Sequence, residues 1–431
     1  MATYTFADIT PAQALAFGSA DSVTLPTGSS AKTTTVLYLQ DGTFSVTIGA
    51  QTVVFGSYFP STVSRLQFPD GSKLFVGRAD ADTRNAGTGI STGAMYGGDG
   101  ADTLTGSKGE WFIQGNQGDD RISAWSLAAN TMYGGQGNDH LSLIGGGADP
   151  IKGQFMQGNK GNDTIQGDAA GDTLLGGQGN DLIYGNGDTP DFINGNLGDD
   201  QITGGGQLLG EGGNDFISLS GVVDTTAWGG DGDDTIQMGT SSSALYSAWG
   251  DGGNDTLRAH TSTRSQLDGG DGADVIQIIR NLGSPVLYSA TIDGGAGNDT
   301  IQASDADDRI RGGTGADSLN GGSGADTFIQ DGATSSLTLA AADRIGDWTS
   351  ADRIQLRTDI GTAFAEGTAA DFAAALSTAQ AEIGAGQTEA MAIQVGQDVI
   401  VFGDASAGAA IHSITMLVGR SLADISADNF V

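Results

Sequence analysis

A nine-residue phrase, Gly-x-x-Gly-x-Asp-x-U-x with U a large apolar residue, occurs thirteen times between Gly97 and Ile329. The copies start at Gly97, Gly115, Gly134, Gly158, Gly176, Gly195, Gly210, Gly229, Gly250, Gly269, Gly294, Gly312 and Gly321. The steps between them are 18, 19, 24, 18, 19, 15, 19, 21, 19, 25, 18 and 9 residues, so most copies stand two phrase lengths apart rather than one. Glycine at fixed places lets the backbone take positive φ and approach a neighbour closely. Aspartate at a fixed place brings one short carboxylate to every turn, and carbonyl and carboxylate oxygens together suit a hard cation such as Ca2+. One conventional thick-cored globule is excluded for most of the chain, because 72 of its 431 residues are Gly and only 7% are aromatic.

The charge supports that reading. Only Glu110, Glu211, Glu366, Glu382 and Glu389 are glutamates among 52 acidic residues; the rest are Asp, as tight loops converging on an ion require. A net charge of -34 excludes nucleic acid as a partner and repels anionic lipid. No run of about 18 apolar residues occurs, so no membrane insertion is expected. Cysteine is absent, which excludes disulfides and thiolate metal sites. Residues 1–10 have neither a basic stretch nor an apolar one, so export is expected to use a signal other than the general secretory one.

The phrase resembles the calcium-binding nonapeptide of RTX proteins. The resemblance implies a mainly all-β chain built on a parallel β-roll, in which each half-turn is one loop and one short strand and 18 residues make a coil. Strand patterning before the repeats and the end of the Gly-Asp phrase after them divide the chain into a small N-terminal β domain at 1–90, a calcium-binding roll at 91–330 and an α+β cap at 331–431. Carried over position by position, the resemblance implies calcium held by the backbone at the glycines and by the aspartates of each loop. These are Gly98, Gly100 and Asp102; Gly118 and Asp120; Gly135, Gly137 and Asp139; Gly161 and Asp163; Gly177, Gly179 and Asp181; and Gly198 and Asp200. They continue with Gly213 and Asp215; Gly230, Gly232 and Asp234; Gly253 and Asp255; Gly270, Gly272 and Asp274; Gly295, Gly297 and Asp299; Gly313, Gly315 and Asp317; and Gly322, Gly324 and Asp326. Asp102 to Asp317 share one edge and Asp326 falls on the other. Twelve loops on one edge leave eleven gaps, so about eleven ions are expected, bringing roughly +22. One or two more are expected where residues 167–172 face 186–191 and where 305–308 face the Gly321 loop. Asn116, Asn159, Asn196, Glu211 and Asp251 replace the second glycine; Asn and Asp tolerate positive φ, and Glu does not. Without calcium the carboxylates repel and the thin core cannot offset chain entropy, so the repeats are expected to be disordered until exported.

Two apolar rows accompany the repeats. One, two residues before each start, runs from Met95 to Leu319; the other, at the U position, runs from Leu104 through Leu319 to Phe328. Before the repeats, 35–39 and 43–48 read as a hairpin around Asp41-Gly42, and 65–68 and 73–76 as a second around Pro69-Asp70-Gly71. After them, 370–380 reads as a helix and 392–395 with 399–402 as a hairpin. Asp343-Arg344-Ile345-Gly346-Asp347-Trp348 and Asp352-Arg353-Ile354-Gln355-Leu356 resemble the stretch after the roll in serralysin-type secreted proteases. The ending Asp428-Asn429-Phe430-Val431 resembles a type I secretion signal of that family. A protein exported by type I machinery to the surface or outside of a Gram-negative bacterium is implied, similar to RTX surface-layer proteins and able to self-associate into a lattice or filament.

No enzyme is expected. Gly89-Ile90-Ser91-Thr92-Gly93 matches a nucleophile elbow, but repeats follow it where a helix should. No His-Glu-x-x-His occurs, and Glu110 beside Asp119 or Asp120 has no catalytic domain around it. No threonine ladder exists to bind ice. Outward aromatics at Tyr96, Tyr133, Trp228 and Trp249 leave surface polysaccharide as the alternative partner, held without self-assembly.

Overall fold

One inward apolar residue between outward polar ones is the pattern of a short half-buried strand, and a glycine-rich turn after each strand sends the chain back beside its predecessor. This computed structural model describes residues 2–17, 21–39, 43–56, 66–89, 91–145, 152–185, 189–221, 223–241, 243–261, 263–279, 288–330, 337–356, 363–385, 388–403 and 410–431. The fold is a mainly β, parallel β-roll with a small helical piece near its C-terminus. The chain forms two compact units, Met1–Leu208 and Leu209–Val431.

In the first unit two parallel sheets face each other. One contains Lys73–Val76, Gly93–Asp99, Trp111–Gln117, Thr131–Gln136, Phe155–Lys160, Thr173–Gln178 and Asp191–Leu197; the other contains Thr83–Asn85, Thr103–Thr105, Arg121–Trp125, His140–Ile144, Thr164–Gln166, Leu182–Tyr184 and Gln201–Gly204. Met95, Ile113, Met132, Met156, Leu174 and Ile193 are cross-strand neighbours in register. Leu104, Ile122, Leu141, Ile165, Ile183 and Ile202 form the opposing row. All of these are buried, each contributing about 1.5–3 kcal/mol.

The N-terminal segment packs on the first coils. Thr35–Tyr38 pairs antiparallel with Phe44–Ile48, and that strand with Gln51–Phe55. The expected Asp41-Gly42 turn lies outside the described residues. The second expected hairpin does not form. Leu66–Gln67 instead runs parallel to Ser22–Thr24, while Lys73–Val76 joins the roll beside Gly93–Asp99. Leu74 and Val76 bury in one core with Phe6, Phe44, Phe55, Ala94 and Tyr96, a larger gain than a two-stranded hairpin offers.

In the second unit, Ala227, Ala248, Leu267, Ile292, Ile310, Phe328 and Ile354 line one wall. Ile236, Leu257, Ile276, Ile301, Leu319 and Ile345 line the other, with Ile217 beside Ile236. Leu319 therefore belongs to one wall only and Phe328 to the opposite one, because the nine-residue step between Gly312 and Gly321 advances half a coil. The cap follows. The helix Phe372–Gly384, capped by Asp371, buries Ala375, Ala379 and Ile383 against Met391, Ile393, Ile400 and Phe402. Ala390–Val395 and Asp398–Gly403 form the expected hairpin, and Ser413–Leu417 returns beside Asp343–Ile345.

Candidate metal centre

The second and fourth positions of the phrase adopt positive φ throughout, from 98° at Gly295 to 146° at Gly272. Where a side chain replaces the second glycine, φ is 84° at Asn116, 82° at Asn159, 76° at Asn196, 78° at Glu211 and 69° at Asp251. That geometry turns each loop inward and brings its aspartate beneath the first glycine. A Cβ added to Gly97 would strike Asp102 Oδ2 and the Gly115 carbonyl, and the same collision recurs at Gly115, Gly176, Gly229, Gly250, Gly269 and Gly294. The first glycine thus makes room for the carboxylate, a role the spacing alone does not reveal.

The aspartates form a ladder. The Asp102 N–H donates to Asp120 Oδ1 at 2.8 Å, Asp120 to Asp139 at 2.8 Å, Asp139 to Asp163 at 2.7 Å, Asp163 to Asp181 at 2.7 Å, and Asp181 to Asp200 at 2.7 Å. In the second unit Asp215 donates to Asp234, Asp234 to Asp255 and Asp255 to Asp274 at 2.7 Å each, Asp274 to Asp299 at 2.8 Å, and Asp299 to Asp317 at 2.9 Å. One carboxylate oxygen is thereby spent on the next coil. The other, Oδ2, is buried without a hydrogen-bond partner in Asp102, Asp120, Asp139, Asp163, Asp181, Asp234, Asp255, Asp274 and Asp299. A buried anionic oxygen left so is costly, and its repetition over these nine aspartates fits a cation beside them.

Burial raises these carboxyls above the usual range, to about 6 at Asp102, about 7 at Asp120, Asp163, Asp181, Asp234, Asp255 and Asp299, and about 8 at Asp139. Neighbouring aspartates add to the rise at most of them. Among the described residues no three acidic or histidine side chains converge as a metal cluster. The donors that fit Ca2+ are carboxylates one coil apart together with glycine carbonyls, an all-oxygen set.

The family model of the RTX calcium-binding nonapeptide repeat (4 copies) matches residues 96–126, 127–149, 157–190, 187–208 and 292–328, about a third of the chain. The chain carries RTX-type repeats. No curated protein matches it. The RTX copies starting at Gly210, Gly229, Gly250 and Gly269 lie outside those matches yet keep the same ladder.

The ladder reaches beyond the RTX phrase. Asp82 donates its N–H to Asp102 Oδ1 at 2.6 Å, and its own carboxylate meets Arg84 at 2.9 Å. Gly77 and Asp82 keep the first-glycine-to-aspartate spacing, a degenerate copy that could have been read. Asp317 donates to Asp343 at 3.2 Å, and Asp326 to Asp352 at 2.9 Å, so the two Asp-x-Ile stretches after the repeats supply further rungs. Asp326 belongs to the other edge, where Asp308 donates to it at 2.8 Å.

That other edge holds the residues two places before the inward apolar row. In the first unit Trp111 donates its N–H to Asn130 Oδ1 at 3.0 Å, Asn130 to Gln154 Oε1 at 2.9 Å, Gln154 to Asp172 Oδ1 at 2.7 Å, and Asp172 to Asp191 Oδ1 at 2.8 Å. The backbone pattern matches the aspartate ladder, but two rungs are neutral amides. Asn130 Nδ2 donates to the carbonyls of Trp125 and Ala128, and Gln154 Nε2 to that of Lys152. Asp172 Oδ2 accepts the Asp168 N–H, whereas Asp191 Oδ2 is buried without a partner. Part of the expected facing loop, 186–188, lies outside the described residues. A further ladder, absent from the expectations above, runs beside the aspartate one: Asn138 donates its N–H to Asp119 at 2.7 Å, Asn162 to Asn138 at 2.7 Å, and Asn180 to Asn162 at 2.9 Å. Its signal was the Asn or Asp that precedes the phrase's aspartate in nine copies.

The other candidates resolve as follows. Ser91 Oγ lies 2.8 Å from Ser107 Oγ, a hydroxyl that is no general base. Glu110 pairs with Lys32 and, at 3.6 Å, Lys152; these cations hold its carboxyl below the usual range, the opposite of a general acid's need. Tyr96 is not an outward aromatic, for it is 4% exposed and donates to the Thr34 carbonyl at 2.7 Å beneath the N-terminal segment. Trp228 and Trp249 stack at 5.5 Å and 13°. No described helix is long and apolar enough to cross a membrane.

Proposed function

We propose that this chain is a secreted structural protein of the bacterial cell surface or extracellular matrix that folds, and then self-assembles, when it meets calcium. The observation that carries the reading is the row of buried carboxylates whose second oxygen has no protein partner. Bound beside them, calcium would supply the positive charge and oxygen coordination that join one coil to the next. Asp102 through Asp317, with the glycine carbonyls of each loop, would hold about eleven ions, and Asp326 and Asp191 would add to them. In the low-calcium cytoplasm the ladder would repel itself and leave the chain unfolded for type I export. The resemblance of Asp343–Leu356 and of the Asp428–Val431 ending to such exported proteins supports that route. Negative-stain microscopy of the purified chain with calcium and then with chelator tests the assembly. Arrays or filaments that vanish with chelator are expected; dispersed particles under both conditions would sink it.

The Trp228–Trp249 stack favours a second reading, a wall that holds polysaccharide without self-assembly. Trp228→Ala with Trp249→Ala separates the two: loss of glycan binding at unchanged particle size supports the second.

A further inference from the structure

Positive φ at the second loop position is open to few side chains besides those of Asn and Asp. Asn116 and Asn159 occupy it, at 84° and 82°, and both open onto the same cavity. It is a groove of about 660 Å³ in the first unit, between the N-terminal hairpin and the outer face of the roll. That volume lies within the roughly 300–1,000 Å³ of small-molecule sites.

The groove combines ring faces with amides. Tyr38, Phe112 and Tyr133 line it, and Tyr38 is fixed by its hydroxyl, 3.2 Å from the carbonyls of Gly77 and Tyr96. Phe112 and Tyr133 belong to a ladder of rings, with centroids 5.5 Å apart from Tyr96 to Phe112, 5.7 Å from Phe112 to Tyr133 and 5.5 Å from Tyr133 to Phe155. The regular spacing follows from one ring per coil. Beside the rings stand Gln114, Gln136 and Asn159, each offering a donor and an acceptor on one planar group. Asp99 and Lys160 close the lining with opposite charges.

Rings that cover a sugar's C–H face, flanked by amides that pair with vicinal hydroxyls, are the means by which proteins hold carbohydrate. An apolar peptide would leave the amides unpaired, which costs binding. A polyanion would meet the field of a chain that carries -34 and stays acidic even with about eleven calcium ions bound. We propose that this groove binds a neutral oligosaccharide of a few sugar rings, lying against Phe112 and Tyr133, the two rings of the ladder that line it. The site is separate from the Trp228–Trp249 pair and does not depend on whether copies of the chain assemble.

Isothermal titration of the calcium-loaded full chain with cellohexaose, xylohexaose and mannohexaose, and with hexagalacturonate as the charged probe, tests this. Saturable binding of a neutral hexasaccharide is expected, weakened at least about tenfold by Tyr133→Ala and by Gln136→Ala. Gln136 is exposed and outside the apolar rows, so Gln136→Ala decides the matter if Tyr133→Ala fails to fold. Calcium content and circular dichroism, measured on the same samples, separate failure of the groove from failure of the roll. No saturable binding of any neutral probe, binding of hexagalacturonate alone, or neutral binding that Gln136→Ala leaves intact would overturn the proposal.

Discussion

The two edges of the roll in the first unit solve one problem in two ways. On both, a backbone N–H of one coil donates to a side-chain oxygen of the next, as at Asp120 to Asp139 and at Asn130 to Gln154. The edges differ in the second atom of the side-chain head group. At Asp120 and Asp139 it is an oxygen buried with no partner; at Asn130 and Gln154 it is an NH2 that donates to the loop's own carbonyls. A carboxylate gathers acceptors around a gap that needs a cation, whereas an amide supplies the donor itself. One atom of the head group thus separates an edge that offers a cation only acceptors from one that satisfies itself.

The widest test is removal of calcium. Excess chelator at pH 8 is expected to abolish most of the β signal in far-UV circular dichroism, because rungs such as Asp102, Asp120 and Asp163 then hold buried charge with no cation beside it. A spectrum unchanged by chelator would erase the distinction between the edges.

Acid should partly replace the metal. Burial pushes the carboxyls of Asp102, Asp120 and Asp139 up from about 4 to about 6, about 7 and about 8 in the cation-free fold. A raised carboxyl pKa gives the cation-free fold stability that is full below about 4 and is lost as pH rises through about 6 to 8. In chelator, lowering the pH from 8 to about 4 is therefore expected to restore β signal; continued loss on acidification would contradict it.

Converting one edge into the other gives a smaller effect. Asn130→Asp with Gln154→Asp removes two donors and adds two buried charges. In chelator a cost of about 1–3 kcal/mol per site is expected from denaturant midpoints, and in calcium at least one more bound ion by elemental analysis. An unaltered midpoint and calcium content would mean the amides do not stand in for metal.

The least effect concerns the loops common to the edge. Glu211 holds φ at 78°, and Glu211→Gly is expected to stabilise the calcium-loaded chain by up to about 1 kcal/mol in a thermal melt. Destabilisation would show that the Glu211 side chain does more than strain its loop.

Much of this was legible because the period repeats. Asp102 to Asp317 and their apolar rows can be read off at fixed offsets, and the structure sets them in register coil after coil. The amide edge was not read, since Asn130 and Gln154 lie outside any glycine phrase and only their place two residues before Met132 and Met156 marks them. Asp343 and Asp352 kept the Asp-x-Ile core of the phrase without its glycines, and so passed for cap rather than coil. The turn signal at Pro69-Asp70-Gly71 is local and points Lys73–Val76 to a hairpin, while its actual partner is chosen by burial against Ala94 and Tyr96.

The sequence alone determined that coils form, because glycine and aspartate recurring at set intervals admit one local turn and one inward residue per strand. Only the tertiary structure decided which oxygen of a carboxylate is satisfied, which amides donate to their own loop, and that Tyr38 comes to face Phe112, Tyr133 and Asn159 across a groove. The repeat is a local constraint on the backbone, whereas hydrogen-bond satisfaction and the groove depend on residues distant in the chain that packing alone brings together.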